Sequence, residues 1–329
     1  VLNIFKRQLK FTRTIMVNCF FGLMRLTFQR DNKTFYGPFM GTDNKCVLLI
    51  KNLIRPRRII KKLIYGQIFR IPFILSASNK AEGLSELTSE WQKYTDILKR
   101  DGIVIIPGFF RERAEALNQH YKLNGHVFPP TDKYYRFEAD LNYPDVFNIA
   151  VDPMMLTIFA NYYNCQPYHR AQPYFNCTHL DEKKELEKTS VNDFWHYDTV
   201  NQMTAHILIN DVSESDSCMF YAKGSHRTHR EYLTKNDYYY SEEYMNQNYD
   251  IVPCIGESGS LIIFDPNGLH RLNIKLNTFR AHLQFLFVPG NDLLTESKYI
   301  HPGFNPNTKE KFLKLKKYQA SSLSRIIKK

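Results

Sequence analysis

Two histidines and an aspartate, His196, Asp198 and His270, are the residues of this 329-residue chain best suited to do chemistry. In an extended strand alternate side chains face the same side, so His196 and Asp198 can both reach one ion while Tyr197 points away. His270 follows 72 residues after the aspartate, and Arg280 comes ten residues later. Two imidazoles and one carboxylate can hold a divalent iron on one face and leave its other positions open for a chelating co-substrate and dioxygen. A guanidinium at Arg280 could grip the distal carboxylate of a dicarboxylic keto acid with two parallel hydrogen bonds. A His-x-Asp triplet alone says little. With 11 His and 17 Asp in the chain, one is expected roughly 0.6 times by chance, so the surrounding elements must carry the reading.

Those elements come in two halves. Ser85 to Arg100 predicts a helix ended by Asp101-Gly102, Ile103 to Ile106 a short strand closed by Pro107-Gly108, and Arg111 to Leu123 a second helix. Another mostly apolar helical stretch lies between Asn148 and Tyr163. After Gln166 the pattern turns to strands, over Gln172 to Thr178, Phe194 to Tyr197, Met203 to Val212, Cys218 to Ala222, Ser260 to Phe264 and Phe279 to Val288. Turn signals separate them at Lys223-Gly224-Ser225, Gly256 to Gly259 and Pro266-Asn267-Gly268. Many short strands after a helical half imply a β-sandwich or barrel buttressed by helices. On that barrel His270 falls just past a strand at the mouth, and Arg280, opening the next strand of an antiparallel pair, falls beside it.

The order of His196-x-Asp198, then Lys223-Gly224-Ser225-His226-Arg227, then Gly259-Ser260-Leu261-Ile262-Ile263-Phe264-Asp265 leading to His270 and Arg280, resembles the phytanoyl-CoA dioxygenase family. The earlier segment Leu98 to Phe110 is similar to that family's opening, so the resemblance runs from about residue 85 to 290. It implies a mainly β fold, a double-stranded β-helix (jelly-roll, cupin-like) core buttressed by N-terminal helices. It also implies Fe(II), with 2-oxoglutarate and dioxygen as co-substrates. By the same resemblance Thr204 and Asn176 are candidate contacts to 2-oxoglutarate, with a barrel-lining polar residue held by its neighbours as the other reading of each. Asp198 favours hydroxylation, because relatives that halogenate carry a small residue in place of this carboxylate. His226 is expected to brace the barrel through a hydrogen bond. His206 and His282 share the alternation of Thr204 and Arg280 and are expected to be satisfied core histidines, and Trp195 to be packing.

Composition bounds the rest. Residues 1–75 carry 15 Lys+Arg against 2 acids and residues 307–329 carry 8 against 1, leaving 21 against 30 in the middle. Basic ends therefore flank an acidic centre. The expected organisation is a basic extension over 1–78, an oxygenase domain over 79–306 and a basic tail over 307–329. Clustered cations attract phosphate, so peripheral contact of 1–78 with an anionic membrane stands beside the reading of a solvated or packed extension. The amphipathic basic stretch from Leu53 to Ile64 fits either. No zinc-finger spacing or RNA-recognition signature occurs, and no specific nucleic-acid binding is expected. Six scattered cysteines without a C-x-x-C argue against a disulfide framework, and the apolar run Ile15 to Met24 is too short to span a bilayer. A cytoplasmic, membrane-peripheral at most, location is the expectation.

The leading expectation is a 2-oxoglutarate-dependent hydroxylase of a small-molecule, lipid-like or carrier-linked metabolite. A cupin-like metalloenzyme that does without the keto acid is one alternative, and Arg280 separates the two. A catalytically silent, membrane-associated binding protein is the other. The tyrosine-rich segment Tyr238 to Tyr249 reads either as a lid over the barrel mouth or as a surface insertion.

Overall fold

The computed structural model describes residues 88–123, 134–180, 194–198, 202–227, 240–289, 303–324 and 326–327. The extension 1–78, the charged insertion Asp181 to Val191 and Tyr238 and Tyr239 lie outside the described residues.

The chain enters through α1 (Ser89–Asp101), β1 (Ile103–Ile106) and α2 (Arg111–Tyr121). Gly102 ends α1 at φ 80°, in the left-handed conformation that suits a residue without Cβ, and its N–H returns to the Leu98 carbonyl. β2 (Tyr134–Glu138) follows, and then two helices where one was expected, α3 (Pro144–Ala150) and α4 (Pro153–Tyr163). Asp152-Pro153 makes the break. The Asp152 carboxylate accepts from the Met155 N–H as an N-cap, and a proline at the first helical position cannot continue the preceding helix.

The remaining strands are β3 (Pro167–His169), β4 (Tyr174–Leu180), β5 (Met203–Leu208), β6 (Cys218–Ala222), β7 (Ile251–Cys254), β8 (Leu261–Phe264), β9 (His270–Asn273) and β10 (Thr278–Pro289). One antiparallel sheet runs β1-β8-β5-β10-β4-β2, with β3 also on β10, and a second runs β7-β6-β9. His196 bridges His270 on the edge of the second sheet. Counted in chain order, β4, the His196 bridge, β5, β6, β7, β8, β9 and β10 fall as four strands in each of two sheets. That is the winding of a double-stranded β-helix, as expected. β5 stops at Leu208 because Asn210 then takes over the ladder with its side chain, accepting from the Ala281 N–H at 2.8 Å and donating to the Phe279 carbonyl at 3.1 Å.

The faces of the large sheet differ sharply. Ala205, Ile207, Phe175, Cys177, Leu261, Ile263, Ala281, Leu283, Phe285 and Phe287 join Leu98, Leu117, Phe147 and Phe159 of the helices in one core. Alternation therefore turns Thr204, His206, Asn176, Arg280, His282 and Gln284 toward the space between the sheets. The 307–329 stretch contributes α6 (Pro306–Leu313) and α7 (Lys317–Leu323), whose Tyr318 and Leu323, with Ile326, belong to the same helix-side core. Lys309, Lys311, Lys314, Lys316 and Lys317 stay exposed, as does Leu313, while Tyr318, Leu323 and Ile326 pack.

Candidate metal centre

The single bridge between His196 and His270 brings the three residues together. His196 N–H donates to the His270 carbonyl at 3.0 Å and His270 N–H returns to His196 at 2.8 Å, while Asp198 N–H donates to the Pro266 carbonyl at 2.7 Å. One donor atom from each of His196, Asp198 and His270 lies within 4.8 Å of the others, the spacing of a metal cluster. Both imidazoles are also set in the tautomer a metal needs. His196 Nδ1 lies 2.8 Å from the Phe194 carbonyl and His270 Nδ1 2.8 Å from the Gly268 carbonyl. A carbonyl only accepts, so each Nδ1 carries the proton and each Nε2 keeps its lone pair. Two imidazoles and one carboxylate would fit a divalent iron that keeps open positions for a co-substrate.

Neighbouring turns fix the backbone around these residues. Ser225 Oγ donates to the Ala222 carbonyl at 2.6 Å and accepts from the N–H of Leu269, next to His270, at 2.7 Å. His226 Nε2–H donates to the Lys99 carbonyl at 3.2 Å, the expected brace. Tyr221 OH donates to the Asp265 carbonyl, and the Asp265 carboxylate accepts from Tyr162 OH at 2.6 Å and from the Asn267 backbone. The turn that delivers His270 is thus tied to β6, α1 and α4.

Arg280 lies in the same interior, 2% exposed. It is not paired with the strand of His270 as expected. β9 and β10 belong to different sheets, and both edges of β10 are already taken, by β4 with Arg280 opposite Thr178 and by β5. The guanidinium instead reaches inward. Among the described residues its Nε and Nη2 are buried without a hydrogen-bond partner, and burial lowers its pKa from the ordinary guanidinium value. A buried cation with two unspent donors is costly unless an anion completes it. A carboxylate is the matching shape.

Thr204 is 1% exposed on the inner face, level with Phe264 of β8 and Leu286 of β10. Asn176 also faces inward, but its amide is committed: Oδ1 accepts from Arg136 Nε at 2.8 Å, and Nδ2 donates to Gln284 Oε1 at 2.6 Å and approaches His282 Nε2 at 3.2 Å. The rings of His206 and His282 lie with centres 4.0 Å apart, tilted by 42°. They are buried but not fully satisfied, since Nδ1 of each has no partner. Burial first, and then the neighbouring cations and imidazoles, push both well below the usual histidine range, so both are neutral. Sequence reading did not single out Gln284 or Arg136. Gln284 was within reach of it, because it shares the two-residue spacing of Arg280 and His282.

A double-stranded β-helix with two histidines and a carboxylate facing its interior defines a metal-dependent barrel protein. Residues 109–271 match the family model described as phytanoyl-CoA dioxygenase, and the chain is phytanoyl-CoA dioxygenase-like, with iron(II), 2-oxoglutarate and dioxygen as the cofactor and co-substrates of that chemistry. No curated protein matches the chain significantly. Among solved structures, the chain is similar to the non-heme alpha ketoglutarate dependent epimerase SnoN from nogalamycin biosynthesis, at 17% identity and a TM-score of 0.48 over 64% of this chain and 90% of that one. It is similar to apo EctD from S. alaskensis at 17% identity and 0.49, over 64% and 83%. HygX from Streptomyces hygroscopicus, solved with nickel, 2-oxoglutarate and hygromycin B, aligns at 16% identity and 0.44 over 65% and 90%. Among the described residues no helix is long and apolar enough to cross a membrane.

Proposed function

We propose that the chain is an Fe(II)- and 2-oxoglutarate-dependent hydroxylase of a small organic molecule, lipid-like or carrier-linked, with His196, Asp198 and His270 as the metal ligands and Arg280 as the anchor of the co-substrate. The observation that carries this reading is the unpaired, buried guanidinium of Arg280 in the same interior as the three clustered donors. A keto-acid-free metal site has no use for that cation.

The chain's own residues bind and orient. His196 and His270 present Nε2 because their Nδ1–H groups are held by the Phe194 and Gly268 carbonyls. Asp198 supplies the one anionic ligand, which partly offsets the metal's charge, and its carboxylate fills the position a halide would need. Arg280 pairs with the distal carboxylate of 2-oxoglutarate, and Thr204 is proposed to add a hydroxyl contact from β5. Asn176 is assigned a supporting part in the Arg136 and Gln284 network, with contact to the co-substrate as its second reading. The neutral His206 and His282 add hydrogen-bonding capacity without adding charge beside Arg280. When bound, iron with 2-oxoglutarate and dioxygen supplies an oxidant that converts a substrate C–H to C–OH while the keto acid leaves as succinate and carbon dioxide.

Succinate release coupled to substrate tests the assignment. His196→Ala and Asp198→Ala are expected to abolish it, and undiminished release in either would overturn the reading.

A further inference from the structure

The backbone of the ligand-bearing segment meets the His270 strand through the His196 to His270 bridge, and Asp198 N–H donates to the Pro266 carbonyl. What fixes it from behind is visible in the alternate side chains. Trp195, Tyr197 and Leu269, the neighbours of the three donors, point to the opposite side and form a separate cluster with Ala222 and Met245. Met245 comes from a helix within the tyrosine-rich segment, α5 (Glu242–Asn248), so the described part of that segment packs behind the centre.

Glu242, the first residue of that helix, reaches both ligand strands at once. Its Oε2 accepts a hydrogen bond from Trp195 Nε1 at 3.1 Å, and its Oε1 forms an ion pair with Arg271 at 2.9 Å from Nε, a contact of charge rather than a directed hydrogen bond. Trp195 precedes His196 and Arg271 follows His270 in the chain. Arg271 in turn lies over the Trp195 ring at 5.4 Å and the Phe220 ring at 4.9 Å. One carboxylate therefore ties together the two backbone positions adjacent to the two imidazoles, from the face away from the metal.

We propose that Glu242 is a positioning residue for the metal centre, holding the strands of His196 and His270 at ligating distance through Trp195 and Arg271. The inference rests on the metal-ligand assignment above. Groups one step outside the ligands commonly change metal affinity about 10- to 100-fold when removed. Glu242 acts one step further out, so the low end applies.

The test is anaerobic titration of the whole chain with Co(II), followed by its visible absorption, at a temperature where every variant is folded. Glu242→Ala is expected to weaken Co(II) binding about tenfold. Glu242→Gln keeps an acceptor for Trp195 but drops the charge facing Arg271, so its affinity should fall between wild type and alanine. Glu243→Gln, on the same helix, should leave binding unchanged. A stabiliser of α5 alone would lower the melting temperature without moving Co(II) affinity, and that result in either Glu242 variant would overturn the proposal. Should Glu242→Ala fail to fold, the glutamine variant decides by the same criterion. Wild-type protein that is folded yet binds no Co(II) would instead overturn the ligand assignment, and this inference with it.

Discussion

At the scale of single residues, Arg280 connects folding to function most directly. In the apo chain its buried, unpaired guanidinium is a cost. Arg280→Met should therefore make the apo protein more stable, by roughly 1–3 kcal/mol in chemical unfolding. It should also remove the rise in melting temperature that 2-oxoglutarate gives the metal-loaded wild type. An apo protein destabilised by the substitution would mean that Arg280 is held by partners of the fold itself. His169 makes a second prediction. It is fully buried, its Nε2–H donates to the Ala150 carbonyl at 2.8 Å, its Nδ1 has no partner, and burial brings its pKa down to about 4. In the unfolded chain it titrates near 6.5. The stability of the neutral form is thus complete above that value and is lost as pH falls from about 6.5 to about 4, by at most about 3 kcal/mol. Urea midpoints at pH 7.5 and 4.5 should differ more for wild type than for His169→Phe, and equal differences would contradict the assignment. The clustering of His196, Asp198 and His270 was legible because alternation, spacing and a following arginine agreed. Glu242 was not, since nothing in a glutamate among tyrosines says that its two partners lie 47 residues before it and 29 after it.

At the scale of elements, the turn between β8 and β9 is the most demanding. A Cβ on Gly268 would sit 1.9 Å from the Tyr221 hydroxyl oxygen and 2.3 Å from Cζ of that ring. Tyr221 is fully buried and its hydroxyl holds the Asp265 carbonyl, so it has nowhere to go. Gly268→Ala should cost about 1–3 kcal/mol by overpacking and weaken metal binding, because Gly268 also supplies the carbonyl that sets the His270 tautomer. Denaturant titration beside Co(II) titration checks both effects. Long strands with one apolar face were legible from periodicity, and β6 fell where the sequence put it. β7 and β9 were not, for physical reasons: β7 contains Pro253, and β9, His-Arg-Leu-Asn, is too short and polar to show an alternation. The placement of β9 and β10 in opposite sheets is a property of the winding, which local pattern does not encode.

At the scale of the whole molecule, charge and packing are separated within the same segments. Net charge marked the last 23 residues as basic but could not show which side chains turn inward. The exposed lysines of α6 and α7 lie outside a layer in which Tyr318 is 2% and Leu323 and Ile326 are 0% exposed. Gln166 Nε2 donates to the Tyr318 carbonyl at 3.0 Å and Gln319 Nε2 to the Val151 carbonyl at 2.8 Å, so these helices also satisfy the backbone where they meet β3 and α4. Tyr318→Ala should lower unfolding free energy by about 3–5 kcal/mol, whereas a loss below about 0.5 kcal/mol would show the helices to be dispensable to the core. The barrel brings its inward-facing polar side chains from both sheets, and the helix-side core holds the large sheet against them. The central claim is that this interior binds iron and 2-oxoglutarate together. Anaerobic titration of the full chain with Fe(II) and then 2-oxoglutarate, followed by visible absorption, tests it most directly. A weak charge-transfer band should appear on adding 2-oxoglutarate to the iron-loaded wild type and be absent in Asp198→Ala. Iron-loaded wild type that shows no such band at saturating 2-oxoglutarate would contradict the claim.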